Sequence, residues 1–75
     1  MDHIPIEFDY KDKHYKGFLT KVSGAGSNAT WFLMIDNYYR GQLHFLNNRF
    51  VFYSQTGEME ELAEMFGEVV MLWYQ

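Results

Sequence analysis

Cysteine is absent from the 75 residues and proline occurs once, which excludes a disulfide scaffold and a zinc-ribbon site. No apolar run approaches the roughly 20 residues that span a bilayer. The longest such run, around residues 31–35, is far too short. Met1, Asp2, His3, Ile4 and Pro5 offer neither a basic n-region nor an apolar h-region, so no secretory signal is expected and the cytoplasm is the expected location. Lys and Arg are missing from residues 57–75, which hold Glu58, Glu60, Glu61, Glu64 and Glu68. That tail repels polyanions and reads as a solvated acidic face, although a basic partner would be attracted to it. What the chain has is apolar content: 48% hydrophobic and 20% aromatic, enough for one small domain over residues 1–75 and too much for disorder.

Ile4, Ile6, Phe8 and Tyr10 alternate with Pro5, Glu7 and Asp9, the period of a half-buried strand, and Pro5 suits an edge. A two-residue turn at Lys11-Asp12 places Phe8 opposite Tyr15, Ile6 opposite Gly17 and Ile4 opposite Leu19 on one side. Glu7 then faces Lys16 and Asp9 faces His14 on the other. Residues 23–29 are small and polar and read as a mobile loop. Asp36-Asn37 and Asn47-Asn48 mark two further tight turns. The expected strands are therefore residues 4–10, 14–22, 31–35, 38–46 and 49–54. Two-residue turns throughout place Met34 opposite Tyr39, Phe32 opposite Gly41, Leu43 opposite Phe52 and Phe45 opposite Phe50 on one face. The other face then carries Leu33 against Arg40, His44 against Val51, and a row of Trp31, Gln42 and Tyr53.

From Gly57 the period changes to 3.6, and Met59, Leu62, Ala63, Phe66, Val69, Val70 and Trp73 fall within an arc of about 120°. This predicts a helix over residues 58–73, with Thr56 or Gly57 as its N-cap. Past Gly67, residues 69–74 continue the stripe in phase, with a sixth strand as the alternative. In one unbroken helix, Gly67→Ala is expected to be neutral or stabilising by up to about 1 kcal/mol. The stripe must be buried, and the expected receiver is Phe32, Leu43, Phe45, Phe50 and Phe52, joined by Ile6 and Phe8. Loss of the Phe45 ring is expected to cost roughly 3–5 kcal/mol. The fold class is thus α+β: a five-stranded antiparallel meander, strongly twisted or partly closed, with one C-terminal amphipathic helix packed on one face.

The opening hairpin Phe8-Asp9-Tyr10-Lys11-Asp12-Lys13-His14-Tyr15, the Met34-Ile35-Asp36-Asn37 turn and the Gly57-Glu58-Met59 helix start together resemble a group of short bacterial proteins to which no activity is assigned. The resemblance spans most of the chain. Its motifs are structural, so it implies the fold and no function.

Signals for chemistry are weak. His3, His14 and His44 are scattered without metal-ligand spacing, and no G-x-S-x-G signature surrounds Ser23 or Ser54. Gly24-Ala25-Gly26-Ser27-Asn28 lacks the Lys-Ser/Thr of a phosphate loop and precedes a strand where that motif requires a helix. No catalytic residue, metal or cofactor is expected. The one suggestive constellation is Trp31, Gln42 and Tyr53 with Tyr38 and Arg40 nearby: aromatics on an open sheet anchor partners, and Arg adds a charge-assisted hydrogen bond. On this reading Trp31 and Tyr53 stay partly exposed, unless the sheet curls and buries Trp31 in a second core. Only Arg40 in the constellation is basic and the pI is about 5.1, which disfavours nucleic acid. The expected function is a non-enzymatic protein-interaction module, with a homodimer among its options. A small-ligand or single-stranded nucleic-acid binder on the same face is the alternative.

Overall fold

A computed structural model of the chain describes residues 3–24 and 29–74. Strands β1 (His3–Tyr10), β2 (Lys13–Ser23), β3 (Thr30–Ile35), β4 (Tyr38–Leu46) and β5 (Arg49–Tyr53) pair in chain order into one antiparallel sheet. A 3-10 turn (Glu60–Leu62) and helix α1 (Ala63–Trp73) follow. The sheet curls into a half-barrel, so both edge strands, β1 and β5, reach α1. This is the α+β arrangement that the alternation and the period change imply. Residues 25–28 of the expected mobile loop lie outside the described residues. Among the described residues no helix is long and apolar enough to cross a membrane.

All three expected hairpin turns carry positive φ at both central residues: Lys11 and Asp12, Asp36 and Asn37, Asn47 and Asn48. Such turns match the right-handed twist of the strands they join. The β1–β2 ladder has the expected register, with Ile4 opposite Leu19, Ile6 opposite Gly17 and Phe8 opposite Tyr15. So does β4–β5, where Leu43 faces Phe52 and Gln42 faces Tyr53.

The β3–β4 ladder departs from expectation. Met34 does face Tyr39, but a bulge follows: Arg40 is left over, and Leu33, Phe32 and Trp31 face Gly41, Gln42 and Leu43. The extra residue turns β3 over relative to most of β4. Its physical cause lies on the other side of β3. Pairing with β2 sets Ile35 opposite Gly17 and Leu33 opposite Leu19, which continues the inner face that Ile4 and Ile6 begin. Trp31, Leu33 and Ile35 therefore point inward, and Phe32 points outward, where the unbulged register had it inside. Gly41 makes room for the bulge's consequence: a Cβ there would stand 2.5 Å from the Phe52 ring.

The core comprises Ile4, Ile6, Phe8 and Tyr10 of β1, Ala29 ahead of β3, Leu19, Trp31, Leu33, Ile35, Leu43 and Phe52 from the other strands, and Met59, Ala63, Phe66 and Val70 from the C-terminal segment. Phe66 meets Phe8 at 5.3 Å and Phe52 at 5.0 Å between ring centroids, both edge-to-face. Phe45 pairs with Phe50 as expected but sits half-buried at the rim, beside Asn48, Arg49, Glu64 and Met71. It is not among the buried core residues, so its expected weight passes to Trp31 and Phe66.

The helix begins later than the stripe suggests. Thr56 accepts a bond from the Glu58 N–H at 3.3 Å, which caps a turn and not α1. Met59 then takes a left-handed conformation (φ 69°) with its side chain buried, and α1 starts at Ala63 with no side-chain cap. Residues 69–73 are helical, so the sixth-strand alternative is removed. Trp73, expected in the buried stripe, is half-exposed at the helix end.

Gly67 is helical, yet the sequence expectation for it fails for a different reason: a Cβ there would collide with the Phe50 ring, including its inner atoms. Alanine gains about 1 kcal/mol of helix propensity and loses about 1–3 kcal/mol to overpacking. We predict that Gly67→Ala does not stabilise the chain and lowers its stability by up to about 2 kcal/mol in denaturant melts. The same substitution combined with Phe50→Leu should recover most of the loss, and a stabilised single variant would contradict the packing described here.

Candidate interaction surface

Because β3 is turned over by the bulge, the outer face of the sheet carries an apolar band that pairwise reading of the hairpins did not identify. In ladder order it runs Pro5, Phe18, Met34, Tyr39 in one row and His3, Thr20, Phe32, Gln42, Tyr53 in the next. Phe18 is 49% exposed, Tyr39 40% and Tyr53 50%. The rings of Phe32 and Tyr39 pack edge-to-face with centroids 4.9 Å apart, and His3 meets Phe18 at 6.3 Å. Phe18 stands as a ridge between two open hollows. One, of about 430 Å³, is floored by Pro5, Gly17 and Met34; the other, of about 440 Å³, lies against Thr20, Phe32 and Met34.

The residues singled out from the sequence are divided by this geometry. Gln42 and Tyr53 do lie side by side on the outer face, and Phe32 completes their row where Trp31 was expected. Trp31 is 0% exposed on the inner face, against Tyr74 at 6.3 Å. Its indole N–H finds no acceptor among the described residues. The expected exposed row thus loses its tryptophan to the core. Tyr38 is 73% exposed at the end of β4. Arg40, the bulged residue, stacks over the Tyr15 ring at 5.6 Å and reaches Glu58 at 3.9 Å, away from Gln42 and Tyr53. Phe18 was missed although its register was available. It faces Pro5 across the first ladder, and two apolar residues opposed on the polar side of a hairpin are the signal of an unburied patch.

Polar groups fix the margins of the band. His44 donates from Nε2 to Gln42 Oε1 at 3.1 Å, which leaves Nδ1 to accept from the Thr30 hydroxyl at 3.3 Å. Its ring tilts against Tyr53 at 5.7 Å. On the first hairpin His14 is clasped by two carboxylates, Nδ1 on Asp9 at 2.6 Å and Nε2 on Glu7 at 2.5 Å. Glu7, opposite Lys16 in the ladder, spends its charge on His14 instead. Among the described residues no group of three or more His, Cys, Asp or Glu side chains is arranged to hold a metal ion. The Ser54 hydroxyl donates to the Glu58 carbonyl at 2.9 Å.

The chain matches no protein-family model, no curated protein and no solved structure.

The hydrogen bond to Asp9, then that to Glu7, raises the His14 pKa above its ordinary value. The clasp therefore stabilises the hairpin fully below the unfolded-state value of about 6.5, and this contribution is lost as pH rises through the higher folded-state value. All three groups are exposed, so the effect is modest and salt-sensitive. We predict that the Tm advantage of the wild-type chain over His14→Gln is full below about pH 6.5 and shrinks as the pH is raised above it. Parallel Tm profiles for the two chains would show that the clasp adds nothing.

Proposed function

We propose that this protein is a non-enzymatic interaction module of the cytoplasm that docks a protein partner on the outer face of its sheet. The observation that carries the reading is the apolar band centred on Phe18, Phe32, Met34 and Tyr39, which the helix leaves uncovered, with Phe18 and Tyr39 exposed and Phe32 and Met34 half-buried. Phe, Tyr and Met are the residue types that recur at the centres of protein interfaces. The margin here is polar, with Glu7, Lys16 and Asn37 at one side and His44, bonded to Gln42 of the second row, at the other. Single-stranded nucleic acid fits less well. Bases would find aromatic platforms, but no Lys or Arg lies within the band to follow the phosphates.

The test uses a photo-reactive residue at Thr20, in the middle of the band, in the full chain and in a Phe18→Ser, Tyr39→Ser double variant. We expect a discrete cross-linked protein species with the parent chain and at least a roughly tenfold lower yield with the double variant, whose melt stays cooperative. The mass of the species separates a second copy of this chain from a different protein. Unchanged yield from a folded double variant would overturn the reading. So would cross-linking that collapses with added salt, which is the response of phosphate contacts.

A further inference from the structure

The chain is acidic, yet half of its six Lys and Arg residues line one cleft at the turn end of the half-barrel. The cleft exists because β2 outruns β3. Pairing with β3 begins only at Gly17, opposite Ile35, whereas Lys13, His14, Tyr15 and Lys16 are paired on the β1 side alone. Alternate backbone N–H and C=O groups of those four residues therefore face the cleft instead of a ladder partner. Its volume is about 240 Å³, the size of a small ligand and not of a peptide.

Three cations line it, Lys13 from the Tyr15 face of β2 and Lys16 from the opposite face. Lys13 Nζ lies 5.3 Å and the Arg40 guanidinium carbon 5.6 Å from the centroid of the same Tyr15 ring, and Lys16 lines the same space. The Phe8 ring stacks on Tyr15 at 5.4 Å and holds this platform in place. The chain neutralises these charges in part. Asp36 is the only carboxylate lining the cleft, and among the described residues it forms no ion pair. Glu58 reaches Arg40 only at 3.9 Å, and Glu7 and Asp9 are held by His14. Like charges that line one cleft repel one another, and a bound anion would relieve that repulsion. We infer that the cleft between Lys13, Lys16 and Arg40 binds a small dianionic oxyanion of the phosphate-monoester class. Arg40 supplies the two-pronged contact, the lysines supply point charge, and the unpaired β2 amides supply directed donors. The cleft shares Lys16 and Asp36 with the margin of the hollow beside Phe18, but anion binding and protein docking are read by different experiments, so the failure of one does not decide the other.

Inorganic phosphate is the probe. The full-length chain, labelled with nitrogen-15, is titrated at fixed ionic strength near neutral pH, with acetate and chloride in parallel, and amide shifts are followed. Phosphate should move the amides of residues 13–17 and 36–41 along saturating curves, acetate at least tenfold more weakly, and chloride without saturation. Lys16→Gln, on the exposed side of the cleft, should weaken phosphate at least tenfold while leaving the remaining spectrum in place, and Arg40→Gln should do the same. Shifts that are spread over the chain, that match those of chloride, or that persist unchanged in a folded Lys16→Gln variant would overturn the assignment.

Discussion

Phe66 touches both edges of the sheet at once. Its ring is set edge-to-face on Phe8 of β1 and on Phe52 of β5, and no other aromatic pair among the described residues links α1 to both strands. An open five-stranded sheet would leave one face wet. This ring lets the two edges share a single plug, and the burial of Leu19, Leu33 and Leu43 beneath it follows. The dependence also runs the other way. α1 has eleven residues, no side-chain cap and no basic residue in its last turn. A helix of that length is marginal in water by itself, so the sheet that it closes is also what keeps it helical. The left-handed Met59 shows the strength of this coupling. A non-glycine residue in that conformation costs on the order of 1 kcal/mol, and here it is held because its side chain is buried against the same core.

Two strands show how far the fold is legible in the sequence. β1 alternates cleanly, with Ile4, Ile6 and Phe8 separated by Pro5 and Glu7, and its turn is two residues long, so one register satisfies both faces. β3 reads Trp31-Phe32-Leu33-Met34-Ile35, apolar on either side, and alternation cannot say which side is inner. Extending an unbroken ladder back from Asp36-Asn37 assigns one answer, and the pairing with β2 imposes the other. The conflict is resolved by an extra residue at Arg40. The β2–β3 pairing was not accessible from the sequence, because the small polar residues between those strands impose no length or register on it. Gly67 teaches a related lesson. The helical period correctly carried α1 through it, but the Phe50 ring that needs its missing Cβ comes from a strand 17 positions away.

The surface was legible in the same proportion. Gln42 and Tyr53 were placed together correctly because β4–β5 is regular. Trp31 and Arg40 were placed wrongly because both lie at or beyond the bulge, and a slip of one residue exchanges faces for everything past it. The exchange favours burial, since Phe32 and Met34 come out as Trp31, Leu33 and Ile35 go in. Its cost falls on the indole N–H of Trp31, which is buried without an acceptor among the described residues. A polar atom stranded in this way costs about 1–3 kcal/mol, which the chain tolerates in order to continue the inner face begun by β1 and β2.

The acidic segment is less of a free surface than its composition suggests, and this bears on where a partner can dock. Glu60 accepts the Ser54 backbone N–H at 3.2 Å, and Glu61 accepts the Tyr10 hydroxyl at 3.0 Å. The Glu61 carboxyl is held below its ordinary range first by its own backbone N–H and then by that hydroxyl. Both carboxylates stand where the C-terminal helical segment begins, near the exposed amides that a side-chain cap would otherwise satisfy, and negative charge is favoured there. They therefore help to fasten the helical segment to the ends of β5 and β1. What remains of the run as a solvated face is Glu64 and Glu68, about one turn apart on α1, beside half-exposed Phe45 and Met71. Two carboxylates make a small target for a basic partner. The outer face of the sheet offers a continuous band in which no side chain is committed to holding α1. Of the two surfaces, the sheet is the one that a partner can cover without disturbing the contacts that close the fold.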